Sequence, residues 1–229
     1  MPESYTELQP WGSTLYSVDP KDSYVSFHTQ HQLVEIFTNP HFGRMLFLDG
    51  VLQSTRSDQE IYHKALFNAV KGPLGNVLIA GGAEGDLAAL CLAAGATHVQ
   101  MNDWDHELVY HIQHVEQWNP EVWDHPNFSY SSKDIVRFCE ETTQSFNTVF
   151  LDLLDVNSEA DKENMVNILN WVKYVLEPNA TLVVNIGRCS ETAEQFAKLL
   201  GKSGSVREIV VPSFQEPWYF IVGVRGHNE

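Results

Sequence analysis

At 229 residues, with 43% hydrophobic and 11% aromatic content, the chain has enough apolar material for one full core plus a small module, which excludes a disordered chain. A formal net charge of -16 argues against a nucleic-acid partner, since a phosphate-binding surface needs clustered Lys and Arg, but it suits attraction of a small polycation. No apolar stretch approaches the ~20 residues that span a bilayer, the start MPESYTELQPWG lacks the features of a signal peptide, and Cys91, Cys139 and Cys189 read as reduced thiols, so a cytoplasmic protein without a membrane partner is expected.

In chain order, YVSFH, LVEIF, MLFLDG and VLQST are short runs of strand-forming residues separated by turn signals, with Asp49-Gly50 marking a hairpin. Residues 1–57 are therefore expected to form a small antiparallel β module, and 58–229 a second domain. SDQEIYHKALFNAV then carries Ile61, Ala65, Leu66 and Val70 at helical spacing. After KGPLG, strands and helices alternate. VLIAGG (77–82) precedes a helix from about Leu87 to Ala94, and HVQMND (98–103) precedes a helix across 106–117. FSYSS (128–132) precedes DIVRFCEE, TVFLDLLD (148–155) precedes ADKENMVNILNWVKYVL, and TLVVNIG (181–187) precedes ETAEQFAKLLG. REIVVP and WYFIVGVR close the chain as a pair of strands. This alternation predicts an α/β fold: a mostly parallel sheet covered on both faces, with an antiparallel pair at its end.

The chemistry-bearing residues fall at strand ends, where open α/β sheets hold their ligands. In AGGAEGD, Gly81, Gly82 and Gly85 permit a sharp turn and a close approach to a ligand. The turn has no GxxxxGK[ST] lysine, and Glu84 within it would repel a pyrophosphate. Asp103, about 20 residues on, suits a ribose diol. A cationic nucleoside of the S-adenosyl sulfonium class fits better than a dinucleotide. Asp152 and Asp155 end the VFLDLLD strand. Carboxylates so clustered raise one another's pKa unless a cation neutralises them. An amine is favoured over a divalent metal, because no histidine sits beside either Asp, so no metal is expected. His106, His111 and His114 read as surface histidines, Trp118, Trp123 and Trp171 as core, and Ser190 as a helix cap.

The segment HFGRMLFLDGVLQSTRSDQEIYH (41–63) resembles the signature FGxxLxLDGxxQxTxxDExxYHE of the polyamine aminopropyltransferases, the spermidine synthase family. Gly43, Leu46, Leu48, Asp49, Gly50, Gln53, Thr55, Asp58, Tyr62 and His63 all match. VLIAGGAEG is similar to VLIIGGGDGG, DWD (103–105) to EID, KDIVRF (133–138) to GDGxxF, and LDLLD (151–155) to the DSSDP loop. The likeness runs from Gln32 to about Val184. It departs at Glu84 and Asp103, where the two acids have exchanged side-chain lengths, and at Ala83, Asp86, Lys64 and Val156. NSEADKE lacks a Gly-Pro-Ala, and Phe214 stands where the family commonly has a Tyr.

The resemblance implies a Rossmann-like sheet of the S-adenosylmethionine-methyltransferase type behind the N-terminal β module. It implies aminopropyl transfer from decarboxylated S-adenosylmethionine, a co-substrate rather than a bound cofactor, to a diamine such as putrescine, giving spermidine and methylthioadenosine. In that scheme Glu84 holds the donor's aminopropyl ammonium and disfavours the carboxylate of intact S-adenosylmethionine. Asp103 binds the ribose and Asp134 the adenine amine, while Gln32 and Gln53 take the sulfur–ribose end. Gly81, Gly82 and His63 complete the substrate-binding set. Asp152 is the general base, Tyr62 its aligning partner, and Asp155 an anchor for the acceptor amine. A homodimer is also implied. A methyltransferase using the same nucleoside site, and a degenerate homologue that only binds polyamine or nucleoside, are the alternative readings.

Overall fold

The computed structural model of the protein describes residues 3–9, 12–153 and 155–226. Pro10 and Trp11 of the N-terminal segment and Leu154 of LDLLD lie outside them. The chain divides into two compact units, Met1–Tyr62 with Val211–Gln215, and His63–Val210 with Glu216–Glu229.

The first unit is antiparallel throughout. β3 (Val25–His28), β4 (Leu33–Asn39), β5 (Gly43–Leu48) and β6 (Val51–Thr55) form a four-stranded sheet in sequence order. The Asp49-Gly50 hairpin expected from the sequence is present. Both residues have positive φ (49° and 79°), as a type I′ turn requires, and the Asp49 carboxylate accepts the Leu33 N–H at 2.8 Å. Phe37 and Phe47 stack at 5.2 Å in the core of this unit.

A further hairpin, β1 (Ser4–Gln9) with β2 (Gly12–Ser17), was not anticipated. Its aromatic residues face inward but its leucines do not: Tyr16 is buried with Glu7, while Leu8 and Leu15 are 74% and 69% exposed. Tyr16 Oη at 3.0 Å and the Leu52 N–H at 3.0 Å satisfy that carboxylate, so a polar side chain occupies the inward position that alternation reserves for an apolar one.

The second unit is built on a seven-stranded sheet of order β12-β13-β11-β10-β7-β8-β9. Its strands are β7 (Asn76–Gly81), β8 (His98–Asn102), β9 (Phe128–Ser131), β10 (Phe146–Asp152), β11 (Leu176–Gly187), β12 (Ser205–Val210) and β13 (Pro217–Val224). All neighbours from β9 to β11 pair in parallel. The closing strands are an antiparallel pair, as expected, but β13 inserts between β11 and β12 and is the one reversed strand in the sheet.

In register, Leu78, Val149 and Leu182 form one row and Ala80, Leu151 and Val184 another on the same face. That face packs on α5 (Ile135–Glu141), α6 (Glu159–Val175) and α7 (Ser190–Leu199) through Phe138, Met165, Ile168, Val172 and Phe196. Met165, Ile168, Val172 and Val175 fall at the 3–4 spacing of one helix stripe. Ile79, Phe150 and Met101 point to the opposite face. α2 (Asp86–Ala93) packs against β7 and β8.

The helix expected over 106–117 is present, as α3 (His106–His111) continued directly by a π-helical turn, Ile112–Glu116, and α4 (Pro120–Trp123) follows. Two expectations are corrected. His111 is not a surface histidine; its side chain is 15% exposed and its Nε2 lies 3.6 Å from the Glu116 carboxylate. Ser190 is the first residue of α7 rather than its cap, the cap position being Cys189. α1 (Gln59–Ala69) links the units in sequence, and among the described residues no helix is long and apolar enough to cross a membrane.

Candidate active site

The carboxyl ends of β7, β8 and β10 carry the acids singled out in the sequence. β7 and β10 are adjacent and lead to different sides of the sheet order, the switch point at which such sheets open a crevice. Asp152, the last residue of β10, pairs with Gly81. Gly81 has φ +86°, and a Cβ there would collide with the Asp152 carbonyl oxygen. The glycine is thus what lets the loop bearing Glu84 start directly against the strand bearing Asp152. Gly81→Ala is expected to cost roughly 3 kcal/mol of stability, from steric collision and a left-handed backbone together. Urea unfolding with an unchanged slope reads this loss; less than about 1 kcal/mol would mean the two strand ends can part easily.

Beyond Gly81 the backbone stays in the glycine-favouring region at Gly82 (φ +76°) and Gly85 (φ +79°). Glu84 is half-buried between them. Asp103 follows β8 and is half-buried, and its carboxylate accepts the Asp105 N–H at 3.0 Å. Burial pushes Asp103 up to about 7, and the charges of Glu84, Asp105 and Asp152 add to this against that hydrogen bond. Asp105 caps α3 through the Leu108 N–H at 3.1 Å.

Asp155 shows the same behaviour. Burial pushes it up to about 6, with Asp152 and Asp161 adding, despite the Asn185 hydrogen bond at 3.3 Å and the nearby Arg188 guanidinium. Asn185 is itself fixed by Trp218 Nε1 at 2.7 Å, and Arg188 lies 5.0 Å over the Trp218 ring. Gly187 (φ +94°) makes room for the Asp155 side chain, its missing Cβ falling 3.1 Å from that of Asp155.

After Asp155, NSEAD closes the loop with a capping box. The Ser158 hydroxyl accepts the Asp161 N–H at 3.1 Å, and the Asp161 carboxylate accepts the Ser158 N–H at 2.8 Å. Val156 is buried and its N–H bonds to the Ile186 carbonyl at 2.9 Å. Here a helix cap and a buried valine organise the segment that lacks Gly-Pro-Ala.

The structure therefore brings Asp103 within electrostatic reach of Glu84 and Asp152, and Asp155 within reach of Asp152. Asp134 is exposed, and its carboxylate caps α5 through the N–H groups of Val136 at 2.9 Å and Arg137 at 3.3 Å. His63 is buried at the start of the second unit.

Gln32, Gln53 and Tyr62 belong to the first unit. Gln32 is half-buried in the turn between β3 and β4, its N–H on Thr29 Oγ1 at 3.1 Å. Gln53 is exposed on β6. Tyr62 is buried, 5.9 Å from the Phe214 ring and edge-on to it.

Phe214 is held in place by a residue to which the sequence assigned no role. The buried Asp58 accepts from Thr55 Oγ1 at 2.7 Å, the Ser213 N–H at 2.8 Å and Ser213 Oγ at 3.0 Å. A partner 155 residues distant leaves no local signal. Asn185, Arg188 and Trp218 were likewise missed.

A reversed β13 in an otherwise parallel sheet, with acids at the carboxyl edge beside a glycine turn, defines an α/β fold of the S-adenosylmethionine-methyltransferase type. Residues 26–56 match the family model described as the spermidine synthase tetramerisation domain. The polyamine aminopropyltransferase of Sulfolobus acidocaldarius is 29% identical over 202 residues, covering 82% of this chain and 66% of that protein. The Klebsiella pneumoniae polyamine aminopropyltransferase is 30% identical over 166 residues, covering 70% and 58%. A spermidine synthase crystallised with the transition-state analogue AdoDATO superposes with a TM-score of 0.85 at 15% identity, over 97% of this chain and 80% of that one. The spermidine synthase of Thermotoga maritima gives 0.81 at 15%, over 97% and 79%. The chain is thus similar to the polyamine aminopropyltransferases over most of its length, and spans 66% and 58% of the two curated relatives described.

Proposed function

We propose that the chain transfers the aminopropyl group of decarboxylated S-adenosylmethionine to a diamine such as putrescine, giving spermidine and methylthioadenosine. The observation that carries this reading is the acidic strand edge. Burial, with neighbouring acids adding, raises Asp103 to about 7 and Asp155 to about 6, and a cation bound at this edge would offset that cost of their charge. Both substrates of this reaction are cations.

The chemistry follows from the amine. A primary amine has a pKa of about 10, so at neutral pH it is protonated and has no lone pair to attack carbon. Asp152 accepts that proton as the nitrogen forms its bond to the carbon attached to sulfur. The carbon–sulfur pair leaves with the sulfur, converting the sulfonium to a neutral thioether, so no acid is needed opposite. Glu84 holds the donor's ammonium, Asp103 its ribose and Asp134 its adenine amine. Asp155 anchors the acceptor. These roles, like those of Gln32, Gln53, Tyr62 and His63, rest on the family resemblance, as does a homodimer. Residues 1–57 are read as the accessory module and 58–229 as the catalytic domain, in a cytoplasmic enzyme that needs no resident cofactor or metal.

Mass spectrometry of products, with decarboxylated donor and a panel of amines, tests the reaction and the acceptor together. The expected result is methylthioadenosine with one aminopropylated diamine in equal amount. Methylated amine from intact S-adenosylmethionine would replace this reading with a methyltransferase, and no product from any amine would leave a binding protein.

A further inference from the structure

The glycine loop is braced from behind by the segment that follows the π-helical turn. Two residues there adopt left-handed backbone, Gln117 (φ +54°) and Asn119 (φ +47°), before Pro120 opens α4. π turns and left-handed non-glycine residues concentrate where a structure positions something. Asn119 Nδ2 donates to the Glu84 carbonyl at 2.8 Å and to the Asp86 carboxylate at 2.9 Å. Both partners are acceptors, so the orientation of the amide is fixed by chemistry. Gly85 lies between them, and a Cβ on it would sit 3.4 Å from the Trp123 ring and 3.7 Å from the Asn119 Cβ. Trp123 is held in turn by Nε1 bonded to the Trp118 carbonyl at 2.9 Å. Asp86 is buried at the first position of α2.

We infer that Asn119 is a positioning residue for donor selection: its amide ties the Glu84 main chain to the start of α2 and so fixes where the Glu84 carboxylate meets the donor. The inference rests on the reading of Glu84 as the acid that meets the donor's ammonium. Intact and decarboxylated S-adenosylmethionine differ by one carboxylate. An acid distinguishes them by charge only if it is held close to where that carboxylate would lie. In this chain the loop carries Ala83 and Asp86 in place of glycines, and the Asn119–Asp86 bond ties the second of those substitutions into the scaffold.

The test is the ratio of dissociation constants for the intact and decarboxylated donors, measured by calorimetry. Asn119→Gly removes the amide while glycine adopts φ +47° without strain, so the backbone is spared. Its ratio is expected to fall about tenfold, the effect of losing a charge-assisted hydrogen bond that holds a recognition group. Asp86→Asn keeps an acceptor for Asn119 and is expected to stay near the wild-type ratio. If Asn119→Gly does not fold, Asn119→Asp, which loses both donors and adds a charge opposite Asp86, carries the same expectation. Glu84→Gln separates the two claims. If wild type discriminates, Glu84→Gln abolishes discrimination and Asn119→Gly leaves it intact, the inference is overturned and the reading of Glu84 stands. If Glu84→Gln leaves the ratio unchanged, both fall.

Discussion

Asp152→Asn is expected to lower the rate of aminopropyl transfer by about 10²–10⁴-fold, the usual contribution of a positioned general base. The substitution preserves shape and can still accept one hydrogen bond from an ammonium, but it cannot take the proton. The defect should shrink as pH rises. With an acceptor pKa of about 10, each unit by which the pH rises while still below that value raises the neutral amine about tenfold, so the variant's rate should climb log-linearly from pH 7 to 9. A second signature is electrostatic. Asp103 and Asp155 are both pushed up in part by the Asp152 charge, so both should titrate at lower pH in the variant. Rate–pH profiles and NMR titration of the carboxyls read the two effects separately. Transfer within tenfold of wild type at pH 7 would place the base elsewhere.

Much of the second unit was legible because its elements switch period sharply, from apolar runs such as VLIAGG and TVFLD to helical spacing in NMVNILNWV. The acids were legible because strand ends in such sheets are where ligands bind, whereas their separate roles came from the resemblance. What was not legible shares a cause: it depends on partners far away in sequence. That β13 inserts between β11 and β12 cannot be read from two adjacent apolar runs, since either order forms the same hairpin. The β1–β2 hairpin was hidden by Glu7, whose burial depends on Tyr16 and on the Leu52 N–H. Asp58 acts through Ser213, and Asp155 is held by Asn185, which is held by Trp218. The brace behind Glu84 did leave a local trace, which the sequence reading passed over: Asn119-Pro120 is a turn signal just beyond the helix expected over 106–117.

The acceptor's kcat/KM is expected to fall steeply below neutral pH, with a slope approaching two below about pH 6, because Asp155 at about 6 must be charged to hold the acceptor's ammonium and Asp103 at about 7 must be charged to accept from both ribose hydroxyls of the donor. From pH 7 to pH 5 the expected loss is about 10²-fold or more, since each group contributes up to tenfold per unit below its pKa. Stability should move the other way. Both folded pKa values stand above the ordinary Asp value of about 3.9, so between about pH 4 and 7 the unliganded folded chain binds more protons than the unfolded one. The contribution of these two groups to stability is therefore most favourable on the acid side of that window and is lost as pH rises through 6 and 7. A bound cation opposes this by favouring the charged forms, so the stabilisation given by decarboxylated donor should grow from pH 5 to 8. Melting temperatures against pH, with and without donor, test the linkage, and Asp103→Asn should flatten the unliganded curve. An unchanged curve in that variant, together with a kcat/KM midpoint near pH 4, would mean that these carboxylates are already neutralised before any substrate arrives. The cation reading of the strand edge would then lose its physical basis.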